Sequence, residues 1–257
     1  MERIRLKSPK EIESMRRAGK ITAAARALAG EMVRPGITTR EIDKRVHDFI
    51  LSQGATPTFL GYGGYPASVC ISINEEVIHG IPGNRRLRDG DVVSIDVGAT
   101  KDGFVGDCAA TFIAGQGSDE AKRLIEVTRQ SFFEALKVAR AGNRVYDISE
   151  AVQQYVEANG FSVIRDYVGH GCGAVMHEPP EVPNFVDEIP ERRVRARLMP
   201  GMTLAIEPMV AAGGWEIRNL RDGWTVVTAD RRLAAHYENT VLITDGPAEI
   251  LTTCGEE

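Results

Sequence analysis

Cysteine is scarce in this chain, and its four thiols, Cys70, Cys108, Cys172 and Cys254, are scattered without CxxC spacing. Neither a disulfide framework nor a zinc ribbon is indicated, and free thiols suit a reducing compartment. No apolar stretch approaches the ~20 residues needed to cross a bilayer, so no membrane association is expected. The opening MERIRLKSPKEIESMRRAGK breaks every apolar run with charge, so no signal peptide is read there. Positive charge is not in excess either. A net charge of −5 and a pI near 5.7 lack the electrostatic footprint of a nucleic-acid-binding protein, and direct DNA binding is not expected. The glycine-rich strings Gly61-Tyr62-Gly63-Gly64-Tyr65 and Gly169-His170-Gly171-Cys172-Gly173 lack phosphate-loop spacing. A GxSxG nucleophile elbow is absent as well. What remains is a cytoplasmic protein of 257 residues, long enough to bury a substantial core.

The chain carries a faint internal repeat. A helix is expected over Glu11–Ala29, then a turn at Arg34-Pro35-Gly36. A second helix starts near Thr39, with Ile42, Val46 and Ile50 on one face, and ends at Gly54. The pattern returns with Gly142, the stripe Ile148, Val152 and Val156, and a terminating Gly160. Likewise Gly90-Asp91-Val92-Val93-Ser94-Ile95-Asp96 matches Gly201-Met202-Thr203-Leu204-Ala205-Ile206-Glu207, so that Asp96 falls on Glu207. Two matches in the same order favour duplication over coincidence. They predict two α+β halves around a shared cleft.

The acidic residues inside apolar strands point to chemistry. In Val92–Val97, period two puts Val93, Ile95 and Val97 on one face and Asp96 on the other. After a turn containing Lys101-Asp102-Gly103, a second strand from Phe104 to Phe112 carries Asp107. A hairpin centred between Lys101 and Asp102 would set Asp96 directly opposite Asp107, where like charges repel unless a cation lies between them. Glu207, ahead of Pro208, and Glu238, ahead of Asn239-Thr240-Val241, sit in similar apolar company. Pro208 fits a bulge or strand end beside a site. Unpaired buried carboxylates cost several kcal/mol, so such groups normally pair or bind metal.

Histidines are few, five in all. Glycines on both sides of His170 allow close approach to a ligand, and His79 and His177 are weaker candidates taken alone. His47, in a helix pattern, and His236, two residues before Glu238, are read as structural. Four carboxylates and an imidazole form a hard, oxygen-rich set that suits Mn, Fe(II) or Co more than a structural zinc. A bridged metal pair can generate hydroxide and polarise a carbonyl, which is hydrolase chemistry.

These motifs, in this order, resemble the type I methionine aminopeptidases of the pita-bread fold. The match runs from Lys7 to Thr252 within one catalytic domain spanning 1–257. It is carried by Tyr167-x-Gly169-His170-Gly171-Cys172-Gly173-x-x-x-His177, Ser94-Ile95-Asp96-Val97, Gly106-Asp107, Ile206-Glu207-Pro208-Met209 and Tyr237-Glu238-Asn239-Thr240. The resemblance implies an α+β fold with two pseudo-symmetric halves around a dinuclear metal cleft. It implies two divalent ions, Co, Mn, Fe(II), Zn or Ni, on Asp96, Asp107, His170, Glu207 and Glu238, with Asp107 and Glu238 bridging. Hydroxide formed at the metals would attack the methionyl carbonyl and Glu207 would help move protons. His79 and His177 would contact the peptide bond, His177 supporting the oxyanion. Phe59, Tyr62, Tyr65, Cys70, Met176 and Trp224 would line the methionine pocket. The partners implied are the N-termini of nascent polypeptides with a small second residue, met by a monomer of the short bacterial form. Phe59, Gly63, Met176, His236 and Asn239 depart from the commoner family pattern, which touches pocket shape and tuning rather than the metal ligands.

Two other readings compete. An X-Pro peptidase of the same fold would carry a further N-terminal domain. A non-catalytic pita-bread protein that binds ribosomes or nucleic acid would lack the metal ligands. The basic run Arg192-Arg193-Val194-Arg195-Ala196-Arg197 is read as a solvated loop, with a ribosome or RNA contact as its other reading.

Overall fold

The computed structural model describes residues 4–254. Ser8 and Thr38 each cap a helix reciprocally: their side chains accept the N–H of Glu11 and Glu41, whose carboxylates accept the cap N–H in return. These capping boxes start α1 (Pro9–Met32) and α2 (Thr39–Ser52). After them come β1 (Thr56–Pro57), β2 (Val69–Ile73), β3 (Glu76–Ile78), β4 (Val92–Lys101) and β5 (Phe104–Ile113). The second half opens with α3 (Asp119–Val138) and α4 (Val145–Ala158), followed by β6 (Ser162–Val163), β7 (Gly169–Gly171) and β8 (Glu178–Val182). It continues through β9 (Thr203–Ile206), β10 (Met209–Ala211), β11 (Ile217–Asn219), β12 (Val226–Thr228), β13 (Ala234–His236), β14 (Glu238–Leu242) and β15 (Glu249–Ile250).

The main sheet has nine strands in the order β1-β4-β5-β14-β9-β7-β8, with β2 also on β4 and β15 also on β14. The expected duplication is visible in this order. Read outward from the β5·β14 seam, each half presents a hairpin-like pair and then a further strand: β5, β4, β2 on one side and β14, β9, β7 on the other. Each half also has a 14-residue helix, α2 or α4, whose apolar stripe (Ile42, Val46, Ile50 or Ile148, Val152, Val156) is fully buried. Gly54 and Gly160, just past these helices, both take positive φ, 62° and 81°, where a side chain would be strained. Among the described residues, two of the four apolar clusters follow the halves. One gathers α1 and α2 residues with Val69, Ile71, Ile95 and Val97, and the other gathers α3 and α4 residues with Leu204, Ile206 and Val241.

The β4–β5 hairpin corrects one expectation. Asp102 and Gly103 both have positive φ, 52° and 77°, the signature of a two-residue I′ turn with Asp-Gly at its centre. Lys101 therefore pairs with Phe104, Asp96 faces Ala109, and Asp107 faces Gly98. Asp96 is not directly opposite Asp107. The slip is two residues, and the side-chain period is also two, so both carboxylates still share one face of the sheet. Glu207 lies between β9 and β10, at the break introduced by Pro208, after which the chain leaves the main sheet for the β13-β10-β6 sheet. Among the described residues no helix is long and apolar enough to cross a membrane.

Candidate functional site

The seam between the halves collects the acidic residues. Ala109 of β5 faces Asp96 across one strand boundary and Glu238 across the other. A small residue, Ala109, thus separates Asp96 from Glu238 on the face of the sheet that carries Asp96, Asp107 and Glu238. His170 of β7 pairs with Ala205 of β9, two residues before Glu207, and period two brings both side chains to the same face. The His170 Nδ1 lies 2.9 Å from the carbonyl of Gly171. This turns Nε2 inward, 3.5 Å from Glu207 Oε1 and 3.9 Å from Asp107 Oδ2.

The structure adds His236 to this group. Its Nε2 stands 3.7 Å from Glu207 Oε2 and 3.9 Å from Glu238 Oε2, and the ring is 2 % exposed. Reading it as structural misses that contact. A signal was present, because His236 and Glu238 are two apart around a strand break and can face the same way. Asn239 points to the opposite face, where its Oδ1 accepts from Arg26 Nη1 at 3.0 Å. His47 is hydrogen-bonded to Ser68 Oγ at 2.8 Å and lies outside the cavity.

Electrostatics make the cluster unusual. Burial lifts Asp96, Glu207 and Glu238 well above the ordinary carboxylate range, and the charge of Asp107 adds to the effect on each. Burial raises Asp107 to about 7. Burial lowers His170 and His79 to about 4 and His236 to about 3, and it also depresses His177. Asp96 Oδ1, Asp107 Oδ1, Glu238 Oε1 and His236 Nε2 are buried with no hydrogen-bond partner in the protein. Two ligand groups lie close enough to share ions, Asp107–His170–Glu238 and Glu207–His236–Glu238. Buried, orphaned carboxylate oxygens beside neutral imidazoles are what divalent cations require, so the donor set fits metal.

Above the cluster lies a cavity of about 290 Å³. It is lined by all the residues expected from the sequence: Asp96, Asp107, His170, Glu207 and Glu238 below, His79 and His177 beside them, and Phe59, Tyr62, Tyr65, Cys70, Met176 and Trp224 around them. Ile78, Tyr167 and Val168 also line it; Tyr167 opens the histidine motif but was given no place in the pocket, and nothing in the sequence pattern had singled out Ile78 or Val168. Gly98 admits the Phe59 ring, since a Cβ there would sit 2.5 Å from it. His79 adopts a positive φ of 59°, a strained state for a non-glycine residue. Tyr167 and Trp224 meet its ring edge-on at 5.6 and 6.3 Å. The Tyr62 hydroxyl lies 2.6 Å from Nδ1 of His177. Cys70 is buried, and burial pushes its thiol well above the ordinary value, which disfavours a nucleophilic thiolate.

The pattern of metallopeptidase family M24 matches residues 13–245. The chain belongs to that family. The methionine aminopeptidase of Clostridium perfringens is 55% identical over 248 residues, 96% of this chain and 98% of its own. The crystal structure of methionine aminopeptidase from Rickettsia prowazekii superposes with a TM-score of 0.94 at 38% identity, covering 98% of this chain and 100% of that one. Prolidase from Pyrococcus furiosus shares the fold, with a TM-score of 0.79 at 23% identity, and this chain covers 66% of it. The resemblance to type I methionine aminopeptidases therefore holds, and with it the pita-bread fold and the class of metal-dependent aminopeptidase.

Proposed function

We propose that this enzyme removes the initiator methionine from nascent polypeptides whose second residue is small. The observation that carries the reading is a pocket walled by aromatic and sulfur-bearing side chains whose floor is a cluster of buried, cation-demanding carboxylates. Asp96, Asp107, His170, Glu207 and Glu238 would hold two divalent ions, from Co, Mn, Fe(II), Zn and Ni. Ions of this kind lower the pKa of water and polarise a carbonyl.

The protein's own groups do the rest. Phe59, Tyr62, Tyr65, Cys70, Met176 and Trp224 receive the methionine side chain, with sulfur and ring contacts to its thioether. A Tyr62 hydroxyl donating to Nδ1 of His177 keeps that ring's single proton on Nε2, where it can be donated to the oxygen that gains charge. The depressed pKa of His177 is consistent with a neutral ring in this role. Glu207 holds the proton in transit to the leaving amine. His79, wedged between Tyr167 and Trp224, crowds the backbone of the second residue together with Ile78. A large or charged second side chain would clash there or bury an unpaired charge.

Nascent chains are a cytoplasmic substrate, which agrees with the free thiols, and we take the enzyme to act as a monomer. For the basic run we favour the solvated loop over a ribosome contact. Arg193 Nε and Arg195 Nη2 are already engaged by the carbonyls of Asp187 and Pro190 at 2.8 and 3.0 Å. The test is release of free methionine from Met-X-Gly peptides with X varied. Gly, Ala, Ser, Thr, Pro, Val and Cys should be accepted. Cleavage of Met-Glu and Met-Lys peptides as efficient as Met-Ala would overturn the narrow second site, and no methionine release from any of them would overturn the function.

A further inference from the structure

The loop joining β7 to β8 presents two residues of the cleft, Met176 and His177. Its first half is held to the sheet by backbone bonds. The Cys172 N–H donates to the carbonyl of Thr203 at 3.1 Å, and the carbonyl of Gly173 accepts from Val105 N–H at 2.9 Å. Its second half is held by the Gly173 N–H donating to the carbonyl of Val175 at 3.0 Å, by the Tyr62 hydroxyl at His177 and by one carboxylate. The N–H groups of Ala174 and Val175 both donate to Oε1 of Glu178, at 3.0 and 3.5 Å. The other oxygen of Glu178 accepts from Lys7 Nζ at 2.5 Å, with the two side chains 2% and 8% exposed.

Lys7 comes from the segment before α1 and is itself fixed. Its N–H donates to the carbonyl of Gly201 at 2.8 Å, and the next residue is the cap of α1. The side chain passes under the loop at Gly173, where a Cβ would lie 2.6 Å from Lys7 Cε and 2.5 Å from Glu178 Oε1. This accounts for a glycine at that position. Val175, by contrast, is 58% exposed, so the outer side of the loop gives little support.

We propose that Lys7 is a positioning residue: acting through Glu178, it fixes the loop that aims His177 into the cleft. The inference rests on the function proposed above. The N-terminal segment is then a working part of the active site, although it touches no substrate.

The test uses the full chain loaded with Mn(II) and the peptide Met-Ala-Ser. Lys7→Met should lower kcat by about 10–100-fold, as a misplacement near 1 Å does, with KM and bound metal little changed. Placed in a His177→Ala background, the same substitution should have no further effect on kcat. Glu178→Gln should cost less than Lys7→Met, because its amide oxygen can still accept from Ala174 and Val175. Should Lys7→Met fail to fold, Lys7→Met with Glu178→Gln removes both buried charges together and carries the same comparison. An equal loss in both backgrounds would make the ion pair a mere strap and overturn the proposal, as would wild-type kcat in Lys7→Met. Amide exchange at Ala174 and Val175 separates this inference from the function. Unchanged protection in Lys7→Met overturns it, even if the wild type releases no methionine.

Discussion

A methyl group at position 109 governs how the carboxylates share their space. Ala109 stands directly between Asp96 and Glu238 in the strand register and is fully buried. Extending it to leucine puts branched carbon into the room the ions need, beyond the usual overpacking cost of about 1–3 kcal/mol. Ala109→Leu should therefore lose bound metal, measured by elemental analysis, while the fold persists. His177→Ala should behave the other way. Metal content should hold while kcat falls roughly 10²–10³-fold, as for a lost oxyanion donor. Metal loss in His177→Ala, or full metal in Ala109→Leu, would contradict these placements. The carboxylates were legible in the sequence because charge inside an apolar strand needs a reason. His236 was less so: its place two residues before Glu238 was the signal, but a histidine near a strand end has several innocent uses.

At the scale of elements, helices read well and strand registers less so. The helix expected over Glu11–Ala29 extends to Pro9–Met32, because Ser8 and Pro9 start it earlier. The stripes of α2 and α4 lie where their periodicity put them. The hairpin slipped by two because φ > 0 at Asp102 and Gly103 places both in the turn, a matter of backbone chirality that hydropathy does not reveal. Helix α1 also carries a constraint invisible to pattern reading. A Cβ on Gly19 would lie 2.2 Å from the carbonyl oxygen of Leu251, and the Cβ of Gly106 on β5 would lie 2.8 Å from Gly19 Cα. Alanine gains up to about 1 kcal/mol over glycine in a helix interior, but these neighbours are backbone and cannot swing aside. Gly19→Ala should lose about 1–3 kcal/mol net in urea unfolding. A gain in stability would show that α1 can lift from the sheet.

For the whole molecule, the metal and the fold should be linked through pH. Burial raises Asp107 to about 7, and Asp96, Glu207 and Glu238 shift in the same direction. Their stabilising share in the metal-free protein is complete below the ordinary carboxylate values and is lost as pH rises through the folded ones. The histidines act oppositely. His170 and His79, held near 4, and His236, held near 3, give stability that is present above their ordinary value near 6.5 and lost as pH falls. Above about pH 6.5 only the carboxylate effect remains. The Tm of the chelated protein should fall between pH 6.5 and 8.5, whereas the Mn(II)-loaded protein should hold, because the cation pairs with ionised ligands. A gap between the two that stays constant with pH would refute the linkage.

The position of β14 has a temporal consequence. This strand lies in the middle of the main sheet, bonded to β5 on one side and β9 on the other, and it brings Glu238. Synthesis proceeds from the amino end at roughly 5–20 residues per second. Until β14 emerges, the two halves of the sheet have no strand between them, and the edges of β5 and β9 that it covers stay unpaired. A chain stalled before β14 has emerged holds Asp96, Asp107, His170 and Glu207 but has no strand to join them. On the ligand set proposed above, such a chain could not close its metal site until β14 has left the ribosome.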